Sequence, residues 1–281
     1  MLFRPDAGNG VSMNRVLTWT LFVFLIAVFP ASASSRTEAQ SPSAEFLAGE
    51  ELLYDISFLW FDRLATGFLK VEPAGEPDTW RVELSARTLG IAAWLTRDRE
   101  QSYVSIMRRE RDGRMRALEH SSSLFKGTGK SREGRVKRYR FDYANGKVDI
   151  LVERPGTETK LSMLDIDGGD LPNDILTAYM NLRLGALGPL TPGRVIKVPT
   201  LTRKGRKEMV IEILSEEDQP KQGFFPKGGV LCKVTVDQEV FRTGGGYIYT
   251  WFDPGGKPRR GVVENVLGMG DVRGVPRYQE D

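Results

Sequence analysis

Most of the chain alternates between apolar and polar residues in short segments separated by Gly, Pro, Asp and Asn. Such alternation, with aromatic and β-branched residues, is typical of strands that have one buried and one solvated face. One series of segments runs from Leu52 to Glu153 and a second from Arg194 to Leu267. About a dozen antiparallel strands predict a mainly β fold: a large curved antiparallel sheet or open barrel with one helix packed against it.

The predicted helix lies between the two series, in the segment DLPNDILTAYMNLRLG. Asp170 or Asn173 is expected to cap its first turn, and Gly185 follows its end. One face of the helix carries Ile175, Ala178, Tyr179 and Leu182. We expect this face to pack against the concave side or an end of the sheet, with a loop at 185–193 after it.

An Asn-Gly step at Asn145 and Gly146 separates two strand-like segments. The positive φ angles that these residues tolerate suit a tight two-residue turn. The sequence therefore predicts a hairpin here.

The amino-terminal region has the order of a signal peptide. An uncharged apolar run at Val16–Phe29 is followed by the small residues Ala31 and Ala33. Spanning a membrane takes about 20 apolar residues, so a cleaved signal is favoured over a permanent anchor. We predict a signal peptide at residues 1–33, cleaved near Ala33, with Met13 as an alternative start and no transmembrane anchor after cleavage.

The rest of the chain divides by composition. Residues 34–45 are polar and contain proline, which predicts a flexible leader. A single β-rich domain is expected at 46–276, followed by a tail at 277–281. The mature protein is therefore expected to be periplasmic or secreted.

Charge and cysteine content exclude some classes of protein. The chain has 40 Lys and Arg residues against 37 Asp and Glu residues, so the basic excess expected of a nucleic-acid-binding protein is absent. Its one cysteine, Cys232, cannot form an internal disulfide. Because Cys232 alternates with Val230, Val234 and Val236, we expect it to be a buried apolar residue, with an intermolecular disulfide as the alternative.

No motif predicts catalysis. His120 is the one histidine, no GxSxG motif surrounds a serine, and His120 is expected to be a partly exposed strand residue. Gly127–Ser131 resembles a phosphate-binding loop but has Leu124 where the first glycine is required. We therefore expect no catalytic residue, no metal site and no cofactor.

A basic stretch follows Phe125. It could bind anionic groups, such as lipopolysaccharide phosphates or lipid head groups, through arginine and lysine side chains. The candidate anion contacts are Lys130, Arg132, Arg135 and Arg138. The alternative is a solvated loop and strand on which Lys137, Tyr139 and Phe141 share one face and Arg138 and Arg140 share the other.

Large aromatic residues are spread over the predicted strands and the helix. Most are expected in the core, but an aromatic lining in a curved sheet could instead leave a cavity for an acyl chain. The candidate ligand-binding residues are Trp60, Trp94, Tyr179 and Trp251.

Several short elements resemble a family of exported bacterial proteins known as domain of unknown function 3108. They are Gly49, Glu50, Tyr54, Gly67, Asp142, Tyr179, Arg183 and Gly193. The resemblance spans roughly residues 46–274, and it departs at the helix start, where Asn173-Asp174-Ile175 replaces an Asp-Pro-Leu-type opening. It implies an envelope protein with an antiparallel sheet, similar in general form to carriers of lipids or lipoproteins. It supplies no catalytic residue.

Three hypotheses about function follow. The first is a non-enzymatic periplasmic binding or carrier protein for a hydrophobic or glycolipid-like ligand of the cell envelope. The second is a structural or interaction module that contacts another envelope protein and has no small-molecule ligand. The third is a hydrolase of envelope glycans that uses two carboxylates.

Overall fold

The computed structural model describes residues 48–157, 159–166, 172–202, 205–220, 223–235, 247–266 and 270–277. The predicted signal peptide and leader, the alternative start at Met13, Asp170 and most of the predicted tail lie outside these ranges.

Fourteen antiparallel strands form a single sheet in the described part of the chain. In chain order they are β1 (Glu51–Phe58), β2 (Phe61–Pro73), β3 (Thr79–Thr88), β4 (Glu100–Arg109), β5 (Met115–Lys126), β6 (Glu133–Asp142), β7 (Lys147–Glu153), β8 (Lys160–Asp165), β9 (Val195–Thr202), β10 (Gly205–Leu214), β11 (Val230–Thr235), β12 (Ile248–Phe252), β13 (Pro258–Val266) and β14 (Gly270–Pro276). Two α-helices accompany them, α1 (Gly90–Thr96) and α2 (Ile175–Arg183). The mainly β architecture is thus confirmed, whereas α1 was not predicted.

The sheet consists of two meanders that meet in its middle. Its strand order is β8-β7-β6-β5-β4-β3-β2-β1-β14-β13-β12-β11-β10-β9. The chain runs outward from β1 to β8, crosses over through α2, and returns from β9 to β14. The first and last strands are neighbours, with Tyr54 opposite Pro276.

One face of the sheet, here called the inner face, carries α2. Cross-strand pairing from β2 to β7 aligns one row of this face, namely Val71, Val82, Ser105, His120, Tyr139 and Ile150. Because alternate residues of a strand point to the same side, such rows define which side chains lie under the helix.

Helix α2 joins the cores of the two meanders. Leu176 and Met180 belong to a buried cluster with residues of β2 to β5, and Ala178 and Leu182 belong to a second cluster with residues of β9 to β11. The predicted packing of α2 is therefore seen, but the helix is buried on more than the one predicted face. Such a helix depends on its tertiary contacts more than on a single apolar stripe.

The cap of α2 is Asp174, not the predicted Asn173. Asp174 accepts hydrogen bonds from the backbone amides of Leu176 and Thr177. Asn173 cannot cap because its backbone pairs with β9, donating to Pro199 and accepting from Leu201. At the other end, Gly185 follows the helix with φ of 69°, a conformation that glycine adopts without strain.

The predicted hairpin forms between β6 and β7, but its turn is longer than expected. Asp142 pairs with Lys147, which leaves four residues in the connection. The Asp142 carboxylate accepts from both the backbone and the side-chain nitrogen of Asn145. Gly146 has the positive φ, 62°. The side chain of Asp142 thus stabilises a wider turn than the Asn-Gly step alone predicts.

His120 is buried, which corrects the expectation of a partly exposed residue. A register shift between Ile106 and Met107 leaves one residue of β5 unpaired, so Ala117 and His120 both lie on the inner face. Simple alternation would have put these two residues on opposite faces. The bulge therefore places the imidazole under the start of α2.

Candidate functional site

A cavity of about 700 Å³ lies between the inner face and α2. One wall is formed by β10 to β14 together with β1 and is largely apolar. Its lining includes Ile56, Ile211, Val234, Ile248, Val263 and Val272. The buried Cys232 also lines this wall, as expected of an apolar residue, and burial raises the pKa of its thiol to about 12.

The opposite wall is formed by β4, β5 and β6 and is polar. Its lining includes Gln101, Tyr103, Ser122, Arg135, Lys137 and Tyr139. These residues stand in cross-strand rows, since Tyr103 pairs with Ser122 and Ser122 with Lys137. The cavity thus offers an apolar surface facing hydrogen-bonding and cationic groups.

The alternation of β6 explains the charged side chains in this wall. Arg135, Lys137 and Tyr139 point to the inner face. Arg138 and Arg140 point to the outer face, where Arg138 pairs with Glu119 and Glu153 and Arg140 with Glu119.

The charge of the lining is predominantly positive. Arg99, Arg135 and Lys137 line the cavity, whereas Asp174 is the single carboxylate among the described lining residues. Arg260 also borders the cavity, but its guanidinium is directed to Phe224 in the cluster of Trp251. Arg99 donates to the Gln101 side chain, and Arg260 donates to the backbone oxygen of Phe224.

Asp174 is buried at the start of α2 and is surrounded by donors. Ser105 and Thr177 each donate a hydroxyl to its carboxylate at 2.6 Å. His120 Nδ1 lies 3.3 Å from the same carboxylate. Burial alone would raise the pKa of Asp174, but the charge and hydrogen bond of His120 and the bonds from Ser105 and Thr177 lower it to about 2.

Ser105, His120 and Asp174 are the three residue types of a serine hydrolase, but their arrangement differs. In a hydrolase the histidine lies between serine and carboxylate and uses a different nitrogen for each. Here Ser105 donates directly to Asp174, and its oxygen lies 2.9 Å from the same Nδ1 that faces the carboxylate. Ser105 is also fully buried. This cluster therefore anchors the helix start to the sheet.

A second buried charge lies at the other end of α2. Arg183 makes two hydrogen bonds to the Glu50 carboxylate, at 2.5 and 3.0 Å, and a third to the Gly256 carbonyl. Burial opposes the charge of Arg183, but the nearby Tyr179 and Glu50 raise its pKa, so it stays protonated. Burial raises the pKa of Tyr179 to about 12 although Arg183 acts in the opposite direction.

The four predicted ligand-binding residues are not brought together. Tyr179 lines the cavity. Trp60 and Trp94 are each 78% exposed. Trp251 is buried in a separate cluster with Leu231 and Val262. Its neighbours Thr250 and Phe252 line the cavity, whereas Trp251 does not.

The four predicted anion contacts are also dispersed. Lys130 lies in a short 3-10 turn. Arg132, at the end of that turn, forms an ion pair with Glu100, and Arg138 is paired on the outer face. Arg135 alone lines the cavity, where it also borders a smaller hollow beside Glu153. The basic stretch is therefore divided: Arg135 and its neighbour Lys137 line the cavity, whereas Lys130, Arg132 and Arg138 do not.

Residues 53–268 match the family described as Protein of unknown function (DUF3108). The chain belongs to this family.

Among solved structures, the DUF3108 protein is similar to a β-barrel-like protein of domain of unknown function DUF1849 from Brucella abortus. The two have 12% sequence identity and a TM-score of 0.43, over 83% of this chain and 97% of that chain. No curated protein sequence matches the chain.

Several residues that carry the resemblance to DUF3108 come together around the end of α2. Glu50 and Arg183 form the buried pair, and Tyr54 and Tyr179 lie close enough to influence its charges. Gly67 stands opposite Tyr54, and a side chain there would crowd Tyr54 and Ile56. The other residues serve turns. Gly49 and Gly193 have positive φ, and Asp142 caps the β6–β7 turn.

Two polar residues of this DUF3108 protein were not predicted as part of a site. The alternation of β4 already places Ser105 on the same face as Tyr103, but it does not show that Asp174 lies across from Ser105. Lys137 was assigned to the face of Tyr139 and Phe141, and that assignment could have identified it as an interior cation.

In the described ranges, no helix has the length and apolar character needed to cross a membrane. The same residues contain no group of three or more His, Cys, Asp or Glu side chains placed to hold a metal ion. The family and the β architecture fit a binding or structural module.

Proposed function

We propose that this protein is exported to the cell envelope and acts there as a non-enzymatic binding or carrier protein for a hydrophobic or glycolipid-like ligand. The observation that carries the proposal is the cavity of about 700 Å³ with its apolar wall. Ligand sites in proteins have volumes of roughly 300–1,000 Å³ and are mainly apolar with a few convergent polar groups. The cavity has both properties.

The cavity also distinguishes this proposal from the alternatives. A purely structural module would fill the inner face with its own side chains, because close packing is the ordinary state of a protein interior. A two-carboxylate hydrolase needs a pair of acids beside the substrate. The described lining has one acid, Asp174, and it caps α2. Both observations favour a binding protein.

The proposal is tested with the mature chain and the neutral fluorescent probe N-phenyl-1-naphthylamine. We expect the probe to bind in the cavity and gain fluorescence, and we expect lipid extracted from protein purified from its native host to show a co-purifying amphiphile by mass spectrometry. Ala86 lines the cavity on β3, so Ala86→Trp should place an indole in the cavity and weaken probe binding by about tenfold or more.

The matched control is Arg87→Trp, one residue further along β3 and exposed. It adds the same indole on the outer face and should leave probe binding unchanged. Equal binding by the folded Ala86→Trp variant and the wild type, or no binding by the wild type and no co-purifying lipid, would refute the proposed function.

A further inference from the structure

We propose that the ligand carries an anionic head group, and that Arg135 holds this group at the polar wall of the cavity. This inference rests on the proposed function and names the chemical class of its ligand: an amphiphile with an apolar chain and a carboxylate or phosphate head. In this proposal, the apolar chain of the ligand lies against the wall formed by β10 to β14, and its head group lies against β4 to β6.

The position of Arg135 is the first argument. It stands opposite Leu124 on β5, and both residues line the cavity. Lys137 is two residues further along β6, on the same face, and two such positions are about 7 Å apart. An anionic group in this part of the cavity therefore meets a guanidinium and an ammonium from one strand.

The second argument is the balance of charge. The Arg135 side chain has no hydrogen-bond or ion-pair partner among the described residues, in contrast to Arg138 on the outer face, which pairs with two glutamates. The one described carboxylate of the lining, Asp174, already accepts four hydrogen bonds, from Ser105, Thr177 and two backbone amides. Among the described residues, the cavity therefore offers Arg135 no unpaired carboxylate, and Glu153 beside it is already paired with Arg138.

The third argument is chemical. A guanidinium presents donors in a planar fork that matches the oxygens of carboxylate and phosphate groups, and its attraction to an anion is stronger away from bulk water. A half-buried arginine beside an apolar wall thus favours a ligand that brings its own negative charge. A neutral hydrophobic molecule would not provide the anionic partner that the guanidinium favours.

The test compares amphiphiles of one chain length that differ in their head group. Displacement of N-phenyl-1-naphthylamine is measured with myristate, 1-tetradecyl phosphate, 1-tetradecanol and tetradecylamine, each below its micelle concentration. We expect the two anions to displace the probe at concentrations about tenfold lower than the alcohol, and the amine to be weakest. Myristate and the phosphate distinguish a carboxylate from a phosphate head, and inorganic phosphate alone should displace nothing.

Arg135→Gln should remove most of the difference between myristate and 1-tetradecanol, since only Lys137 remains on this strand, while leaving binding of the probe and the alcohol unchanged. Arg138→Gln is the matched control, since it removes the same charge three residues away on the outer face and should retain the preference. If Arg135→Gln does not fold, as judged by circular dichroism, Arg135→Lys replaces it and should keep only part of the preference.

The outcomes separate the two proposals. Absence of probe binding to the wild type would overturn the proposed function and this inference together. Probe binding with equal affinity for the anions and the alcohol would overturn only the anionic head group. An anion preference that is undiminished in Arg135→Gln would overturn only its assignment to Arg135.

Discussion

The two ends of α2 are both fixed to the sheet by a buried charge, but the charges are neutralised in different ways. At the start of the helix, the Asp174 carboxylate is surrounded by hydroxyls, backbone amides and His120. At the end, the Arg183 guanidinium is paired with Glu50. Both signs agree with the helix dipole, which favours an anion at the start and a cation at the end.

We call the contacts of Asp174 and the Arg183–Glu50 pair the two anchors of α2. They differ in the stability that the protein loses when one of their groups is removed. Arg183 and Glu50 are full charges with side chains 1% and 9% exposed, so removing one leaves the other buried without a counter-charge. Asp174 is held by His120 together with neutral hydroxyl and amide donors, and its carboxylate can take up a proton. The end of α2 is therefore the stronger anchor and the start is the anchor that responds to pH.

Arg183→Met is expected to have the largest effect. It leaves the Glu50 carboxylate buried and unpaired, which typically costs about 3–5 kcal/mol. The measurement is the free energy of unfolding of the variant and the wild type in urea. The double variant Glu50→Met with Arg183→Met should recover most of this loss because no charge remains buried.

The control for this change is Arg81→Met. Arg81 pairs with Glu72 and Glu83 but is partly exposed, so its loss should cost at most about 1 kcal/mol. If Arg81→Met and Arg183→Met lowered the free energy of unfolding equally, the buried pair would not be the stronger one, which would contradict the prediction.

Asp174→Asn is expected to have an intermediate and pH-dependent effect. The pKa of Asp174 is lowered from 3.8 to about 2 in the folded protein. Such a shift contributes about 2 kcal/mol at neutral pH. Because the folded pKa is the lower one, this contribution is complete above the unfolded pKa and is lost as pH falls from about 4 to about 2.

Urea unfolding of wild type and Asp174→Asn between pH 7 and pH 2 measures this effect. The difference between them should be largest near neutral pH and shrink on acidification. Asp142→Asn, at the exposed β6–β7 turn, is the control and should show a smaller pH-dependent difference. A difference that stayed constant over the acidic range would show that the carboxylate charge of Asp174 does not stabilise the fold.

Ser105→Ala is expected to have the smallest effect. It removes one hydroxyl donor from Asp174 and leaves His120, Thr177 and the backbone amides in place, so we expect a loss of about 1 kcal/mol. Ser102→Ala is matched, because the Ser102 hydroxyl has one side-chain partner among the described residues, Ser123 on β5, and it should cost less. A loss from Ser105→Ala as large as that from Arg183→Met would contradict the ranking of the two anchors.

Local patterns predicted the strands, α2 and the site of the β6–β7 hairpin, because these depend on neighbours in sequence. They also assigned Lys137 and Arg138 to opposite faces of β6. The expected partial exposure of His120 was wrong because a bulge in β5 changes the parity of the strand, and such a bulge carries no distinctive sequence signal.

The cap of α2 and its partners could not be predicted for a different reason. Ser105 and Asp174 meet through packing of residues far apart in the chain, and Asn173 is excluded as a cap only because it pairs with β9. The aromatic residues gave a similar difficulty. The side chains of Trp60, Trp94 and Trp251 are of a type that often lines cavities, but none of the three lies in this one. Trp60 is at an exposed hairpin end, Trp94 is on an exposed helix, and Trp251 is buried in a separate cluster.

The pairing of β1 with β14 has a consequence for how the protein is made. Until β14 has been synthesised, β1 presents an unpaired edge and the first eight strands expose an apolar surface. Open edges and late, long-range pairing favour slow folding and aggregation. A chaperone that protects the emerging chain should therefore raise the yield of this protein, and truncation before β14 should leave an insoluble product.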